Sequence, residues 1–149
     1  MSTTLENMIG QQLGCSDWLK IDQDRINAFA DITDDHQFIH VDKERAKKET
    51  PFGDTIAHGM LTFSLIIPLM IPFLEKYSGG RTTLNYGCNK LRFINPVVCD
   101  SEIRLVTTIK SVDNRDDGTT LVTIEGVMAI KGKDKPAFVA EMLCLLLGN

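Results

Sequence analysis

The run Met60–Leu74 includes Leu61, Phe63, Leu65, Ile66, Ile67, Leu69, Met70, Ile71, Phe73 and Leu74. A helix apolar on nearly every side has to be enclosed. A membrane span takes about 18–20 apolar residues; this run is shorter, and Pro68 and Pro72 interrupt it. The sequence therefore predicts a buried core helix of about five turns, entered through Ile56-Ala57-His58-Gly59 and ended by Ser78-Gly79-Gly80.

The material to enclose that helix follows it. Residues 82–93, 101–112, 119–130 and 137–147 are four extended-looking runs rich in Val, Ile, Leu and Thr. Asn95-Pro96, Asn114 to Gly118 and Lys131 to Pro136 supply turn chemistry between them, and connections this short favour antiparallel neighbours. Ahead of the helix, Gly14 to Ile21 reads as a lead-in strand. Asp22 is positioned to cap a helix through Asp31, with Ile26, Phe29 and Ala30 at helical spacing. Asp42 similarly caps a short helix through Lys48, closed by Thr50-Pro51 because the residue before a proline avoids helical geometry. No repeat, linker or low-complexity tract divides the chain, so residues 1–149 form a single α+β domain, one sheet around one central helix.

At 149 residues and 43% hydrophobic, the chain has room for one core. Its net charge of −4 argues against a nucleic-acid partner, which would require clustered Lys and Arg. The locally basic stretch Lys43–Lys48 is broken by Glu44 and reads as a solvated helix face. The four cysteines show no Cys-x-x-Cys spacing, so free thiols in a reducing compartment are expected. The N-terminus lacks a basic segment followed by an apolar one, and a cytoplasmic protein without a membrane partner is expected.

The chemistry-bearing segment is Asp35-His36-Gln37-Phe38-Ile39-His40. Asp and His exchange protons near neutral pH, whereas an amide can only orient. On a regular helix Asp35 and His40 would lie about 140° apart, and on a strand they would face opposite sides. Convergence requires an irregular loop after a helix ending near Thr33 to Asp35. A capping or turn-forming Asp35 with His40 in solvent is equally compatible with the spacing. His36, His40 and His58 are all the histidines present, but a zinc site would need helix where the sequence indicates loop, and no metal is expected. His36 reads as surface, and His58 as a cap or packing residue at the helix entrance. Gly59 either admits close packing or lets a ligand carbonyl approach an unpartnered N–H at the positive helix end.

Residues Phe29 to Asp42, with Ile56-Ala57-His58-Gly59-Met60, resemble the MaoC-like dehydratase and (R)-specific enoyl-CoA hydratase family. The Asp-His-Gln-aromatic-Ile-His-Val-Asp pattern, Pro51-Phe52-Gly53 and Leu84 to Phe93 are similar to its nodulation protein N-like branch. The resemblance covers nearly the whole chain and implies a hotdog fold, a curved antiparallel sheet around a long central helix, assembled as a homodimer. It implies reversible addition of water to a trans-2-enoyl thioester, with Asp35 and His40 as the catalytic dyad. Gln37 falls on the family's polar Asn position, and Gly59 on the glycine whose amide binds the thioester carbonyl. Phe38 replaces the family's Pro, and Asp34 stands where Gly is common; the Gln37 and Phe38 departures occur together in the closer branch and bear on the substrate more than on the chemistry.

No cofactor is implied beyond coenzyme A as the carrier part of the small-molecule acyl thioester. Lys90, Arg92 and the Lys43–Lys48 segment are candidates for its phosphates. Phe38, Ile56, Met60 and Phe63 are candidates to line an acyl tunnel, although their spacing also fits ordinary core. Two alternatives stand: a hotdog thioesterase directing water at the carbonyl carbon, and a non-catalytic acyl-thioester-binding accessory protein.

Overall fold

The computed structural model describes residues 4–148. A short 3-10 turn, Glu6–Met8, leads into β1 (Gln12–Cys15) and β2 (Leu19–Lys20). Three helices follow: α1 (Gln23–Thr33), α2 (Phe38–Val41) and α3 (Lys43–Glu49). The central run comprises α4 (Gly59–Ser64), α5 (Ile66–Leu74) and a closing 3-10 turn, Glu75–Tyr77. β3 (Thr83–Phe93), β4 (Glu102–Asn114), β5 (Thr120–Ile130) and β6 (Phe138–Leu146) complete the chain. The four long strands match the four extended runs, whereas the single lead-in strand is two short ones.

All pairings between strands are antiparallel, in the order β1-β4-β5-β6-β3, with β2 also on β4. Alternation of buried and partly exposed residues along β4 and β6 gives the sheet one core face. Asp22 and Asp42 cap α1 and α3 as their sequence positions predicted, each accepting from the backbone N–H three residues on, at 2.9 Å.

The central helix departs from expectation in two ways. It breaks at Leu65, because Pro68 has no N–H for the Ser64 carbonyl and its ring crowds that oxygen. It is also buried on one face only: Ile66, Met70 and Leu74 are fully buried, while Met60, Ser64, Pro68 and Pro72 form an exposed stripe at the same four-residue spacing. By length and composition the continuous run Gly59–Tyr77, 19 residues, is apolar enough to cross a membrane. Length therefore does not separate it from a span. Its inward face packs on the sheet so closely that a Cβ on Gly126 of β5 would stand 2.6 Å from Ile66 Cδ1.

Candidate active site

The segment between α1 and α3 brings Asp35 and His40 together by local means. α1 ends at Asp34, whose φ of 59° is the left-handed cap conformation that Asp tolerates better than most residues. The chain then extends through Asp35 to Gln37, and α2 turns His40 back toward it. His40 is thus on a single helical turn rather than on loop, and it is buried, not solvent-exposed. Asp35 is exposed. Its Oδ1 faces the Gln37 N–H at 3.4 Å.

Polar tethers fix this geometry. His40 Nδ1 donates to the Ile56 carbonyl at 2.7 Å, and Ile56 N–H donates to the Ile39 carbonyl at 3.0 Å. Gln23 Nε2 on α1 donates to the His40 carbonyl at 2.8 Å, and Gln23 Oε1 accepts from Thr55 Oγ1. His58 Nε2 donates to the Asp35 carbonyl at 3.0 Å. A carbonyl oxygen only accepts, so both tautomers follow: His40 carries its proton on Nδ1 and presents a bare Nε2, and His58 carries its proton on Nε2. The His40 and His58 rings stack with centroids 3.8 Å apart, and Phe29 packs against His58 at 5.0 Å. Burial holds His40 below the usual imidazole range. The bond to the Ile56 carbonyl opposes this, nearby His58 adds to it, and Asp35 opposes it.

Among the described residues, Asp35, His40 and His58 form a group whose ligating atoms lie within 4.8 Å of one another. The group differs from the His36, His40 and His58 set considered from sequence. The two rings are inclined by only 23°. An imidazole binds along a lone pair in its own plane, and near-parallel planes do not meet at the roughly 2.1 Å a zinc–nitrogen bond requires. The arrangement suits proton exchange with water better than chelation. His36 points away, bonded to exposed Asp31 at 2.8 Å.

Gly59 opens α4 beside this group and lies between two clefts. One, about 480 Å³, is lined by Phe29, Asp35, His40, His58, Gly59 and Met60, among others. The other, about 370 Å³, is lined by Phe52, Ile56, Gly59, Phe93 and Ile94, among others. A Cβ on Gly59 would lie 3.0 Å from the Phe93 ring, so the junction leaves little room for a side chain. Ile94 also borders a third groove holding Lys90 and Arg92.

The other sequence candidates are placed as follows. Met60 and Ile56 border the two clefts, one each. Phe38 instead sits beneath the Arg45 guanidinium at 4.0 Å, and Phe63 packs edge-on against Phe138 at 5.8 Å; neither borders the two clefts at Gly59. Gln37 is exposed and caps α2 through its backbone alone. In the basic segment Lys43 pairs with Asp54 and Arg45 with Glu49. Gln23 and Phe93 were not singled out from sequence, because a tether and a glycine's neighbour come from residues distant in the chain.

Known proteins resemble this chain in sequence and in fold. A 3-hydroxyacyl-thioester dehydratase Z of Mycobacterium tuberculosis is 42% identical over 134 residues, covering 90% of this chain and 87% of the relative. A nodulation protein N of Rhizobium leguminosarum bv. viciae is 40% identical over 138 residues, covering 93% and 86%. The (R)-hydratase of A. caviae involved in PHA biosynthesis superposes with a TM-score of 0.75 at 24% identity, covering 93% of this chain and 96% of that one. An Archaeoglobus monoamine oxidase regulatory protein superposes at 0.82 with 22% identity, covering 99% and 95%. These superpositions establish the hotdog fold. The model of the MaoC like domain matches residues 4–130, and the chain belongs to the MaoC-like dehydratase family.

Proposed function

We propose that the protein is an (R)-specific enoyl-thioester hydratase, reversibly a 3-hydroxyacyl-thioester dehydratase. The observation that carries the reading is the convergence of ionisable Asp35 and His40, whose tautomer leaves Nε2 bare, in a cleft that Gly59 also lines. Two acceptors placed together can take both O–H bonds of one water and turn its lone pair outward. The Gly59 N–H, at the first turn of α4, is where the thioester carbonyl would be polarised, making C3 electrophilic.

In hydration, the water oxygen bonds to C3 as Asp35 takes one of its protons. The electron pair of the C2–C3 double bond moves onto the enolate facing Gly59. The dyad then returns the proton to C2, so water is consumed and the protein is unchanged. His40 positions the water and shares the acid step with Asp35. Gln37 serves as a nearby orienting polar residue. The step uses no metal or redox cofactor, since the unsaturated thioester is already activated.

The carrier arm, coenzyme A in this reading, would leave through the second cleft toward Lys90 and Arg92, a route supported by the shared borders at Gly59 and Ile94. The acyl end would occupy the cleft beside Met60. Assembly as a homodimer is favoured by the bare edge of β3, which exposes Leu84, Tyr86 and Phe93. A cytoplasmic location fits an acyl-thioester substrate. Incubation with crotonyl-CoA tests the activity: loss of enoyl absorbance without free thiol is expected. Thiol release without hydration would make the protein a thioesterase, and neither change would make it a non-catalytic binder.

A further inference from the structure

We infer that His58 is a positioning residue for the proposed hydration, tying the Asp35 loop to the His40 ring and to the start of α4. The inference rests on the functional reading above and assigns His58 no contact with substrate. His58 meets all three parts of the site. Its Nε2–H holds the Asp35 carbonyl at 3.0 Å, its ring stacks on His40 at 3.8 Å, and its own backbone precedes Gly59. It is not a conventional side-chain cap, since its side chain accepts no N–H from the first turn of α4.

The Asp35 loop needs such a tether. Asp35 is exposed, follows a left-handed residue and lies outside regular structure. The loop's other polar bonds are short-range, from Gln37 N–H to Asp35 Oδ1 and between His36 and exposed Asp31. The bond from His58 reaches across 23 residues and is the one that refers the loop to α4. Among the described residues His58 Nδ1 is buried without a partner. A buried polar atom left unpaired costs stability, which argues that the imidazole is kept for its tether and its ring rather than for packing alone.

Stacking also acts on His40. The charged groups facing His40 are Asp35 from its own segment and, when protonated, His58 from the helix entrance. α1 contributes uncharged Phe29, on His58, and Gln23, on the His40 carbonyl. Removing the His58 ring removes a positive neighbour and uncovers one face of His40. Both changes ease protonation of His40, so its titration moves to higher pH. Because hydration requires neutral His40, the acid limb of kcat/KM moves the same way.

Two substitutions separate tether from ring. His58→Phe keeps an aromatic face and removes the donor. His58→Gln keeps an N–H donor at the same distance along the side chain and removes the ring. The expected result is a fall in kcat of about tenfold to a hundredfold for His58→Phe, the scale of a slightly misplaced catalytic group, with KM changed less than twofold. His58→Gln should restore most of kcat. In His58→Gln, which removes the ring, the His40 titration, followed by NMR, should move to higher pH. An unchanged kcat in His58→Phe, an equal loss in both variants, or an unmoved His40 titration in His58→Gln overturns the inference. Should His58→Phe fail to fold, the titration in His58→Gln decides alone. If the wild-type protein hydrates no enoyl thioester, the functional reading fails and that titration still decides the role of His58.

Discussion

Residues 22–59 and strands β4 to β6 are held by opposite means. In the first region single polar bonds span long stretches of chain: Gln23 to the His40 carbonyl, His40 to the Ile56 carbonyl, His58 to the Asp35 carbonyl. In the second, Ile103, Leu105, Ile124, Met128, Phe138 and Met142 are fully buried and pack on Ile66, Met70 and Leu74. Apolar packing tolerates adjustment of any one contact. A polar tether sets a position and has no substitute. The contrast assigns stability to the sheet and helix, and geometry to the segment that carries the proposed dyad.

The largest effect should come from breaking the dyad itself. Asp35→Asn and His40→Gln should each lower kcat/KM by about 10²- to 10⁴-fold, the range for a lost general acid or base. Asp35 is exposed, so Asp35→Asn should leave the melting temperature unchanged. Kinetics and thermal melting on the same samples check both halves.

Ile66→Ala should do the reverse. The side chain is fully buried and meets Gly126 closely, so truncation should cost about 2–5 kcal/mol by denaturant unfolding. Turnover of the folded fraction should stay near wild type. A loss of turnover without a loss of stability would break the division between the regions.

Gly59→Ala tests the point where they meet. Its Cβ would stand 3.0 Å from the Phe93 ring, which is partly exposed and can move. A reduction in kcat/KM of about tenfold is expected from the narrowed junction. Phe93→Leu in the same chain should recover part of it.

The pH dependence follows from His40. Burial lowers its affinity for a proton, so the acid limb of kcat/KM should lie below the ordinary imidazole value near 6.5. For stability the sign is the same. Between its folded and unfolded values the unfolded chain binds more protons at this residue, so its contribution is present above about 6.5 and is lost as pH falls through the folded value. Unfolding curves across that window, with His40→Gln as the control, measure it.

Asp34→Gly should have the smallest effect, a stabilisation of up to about 1 kcal/mol, because glycine adopts φ of 59° without the cost an L side chain carries. Chemical denaturation resolves a change of that size.

The contrast also explains what could be read from the sequence. The four long strands, the caps at Asp22 and Asp42 and the apolar helix were legible because periodicity and capping are local. The Asp35 and His40 pair was legible as a conditional: it required an irregular connection, which the left-handed Asp34 and the single turn of α2 provide. The one-sided burial of the helix was not, since an apolar composition does not say how much sheet is available to cover it. Nor was the role of His58, whose partners are 18 and 23 residues away. Phe38 and Phe63 were candidates for the tunnel that the resemblance implies, with ordinary packing also open; one faces Arg45 and the other Phe138.

The most direct test of the account is the configuration at C3 of the product formed from crotonyl-CoA. In the proposed mechanism a planar enoyl group held against Gly59 would present one face to a single water between Asp35 and His40, so addition would occur from one side. The account predicts (R)-3-hydroxybutyryl-CoA as the sole product. The (S) product or a racemate would contradict it.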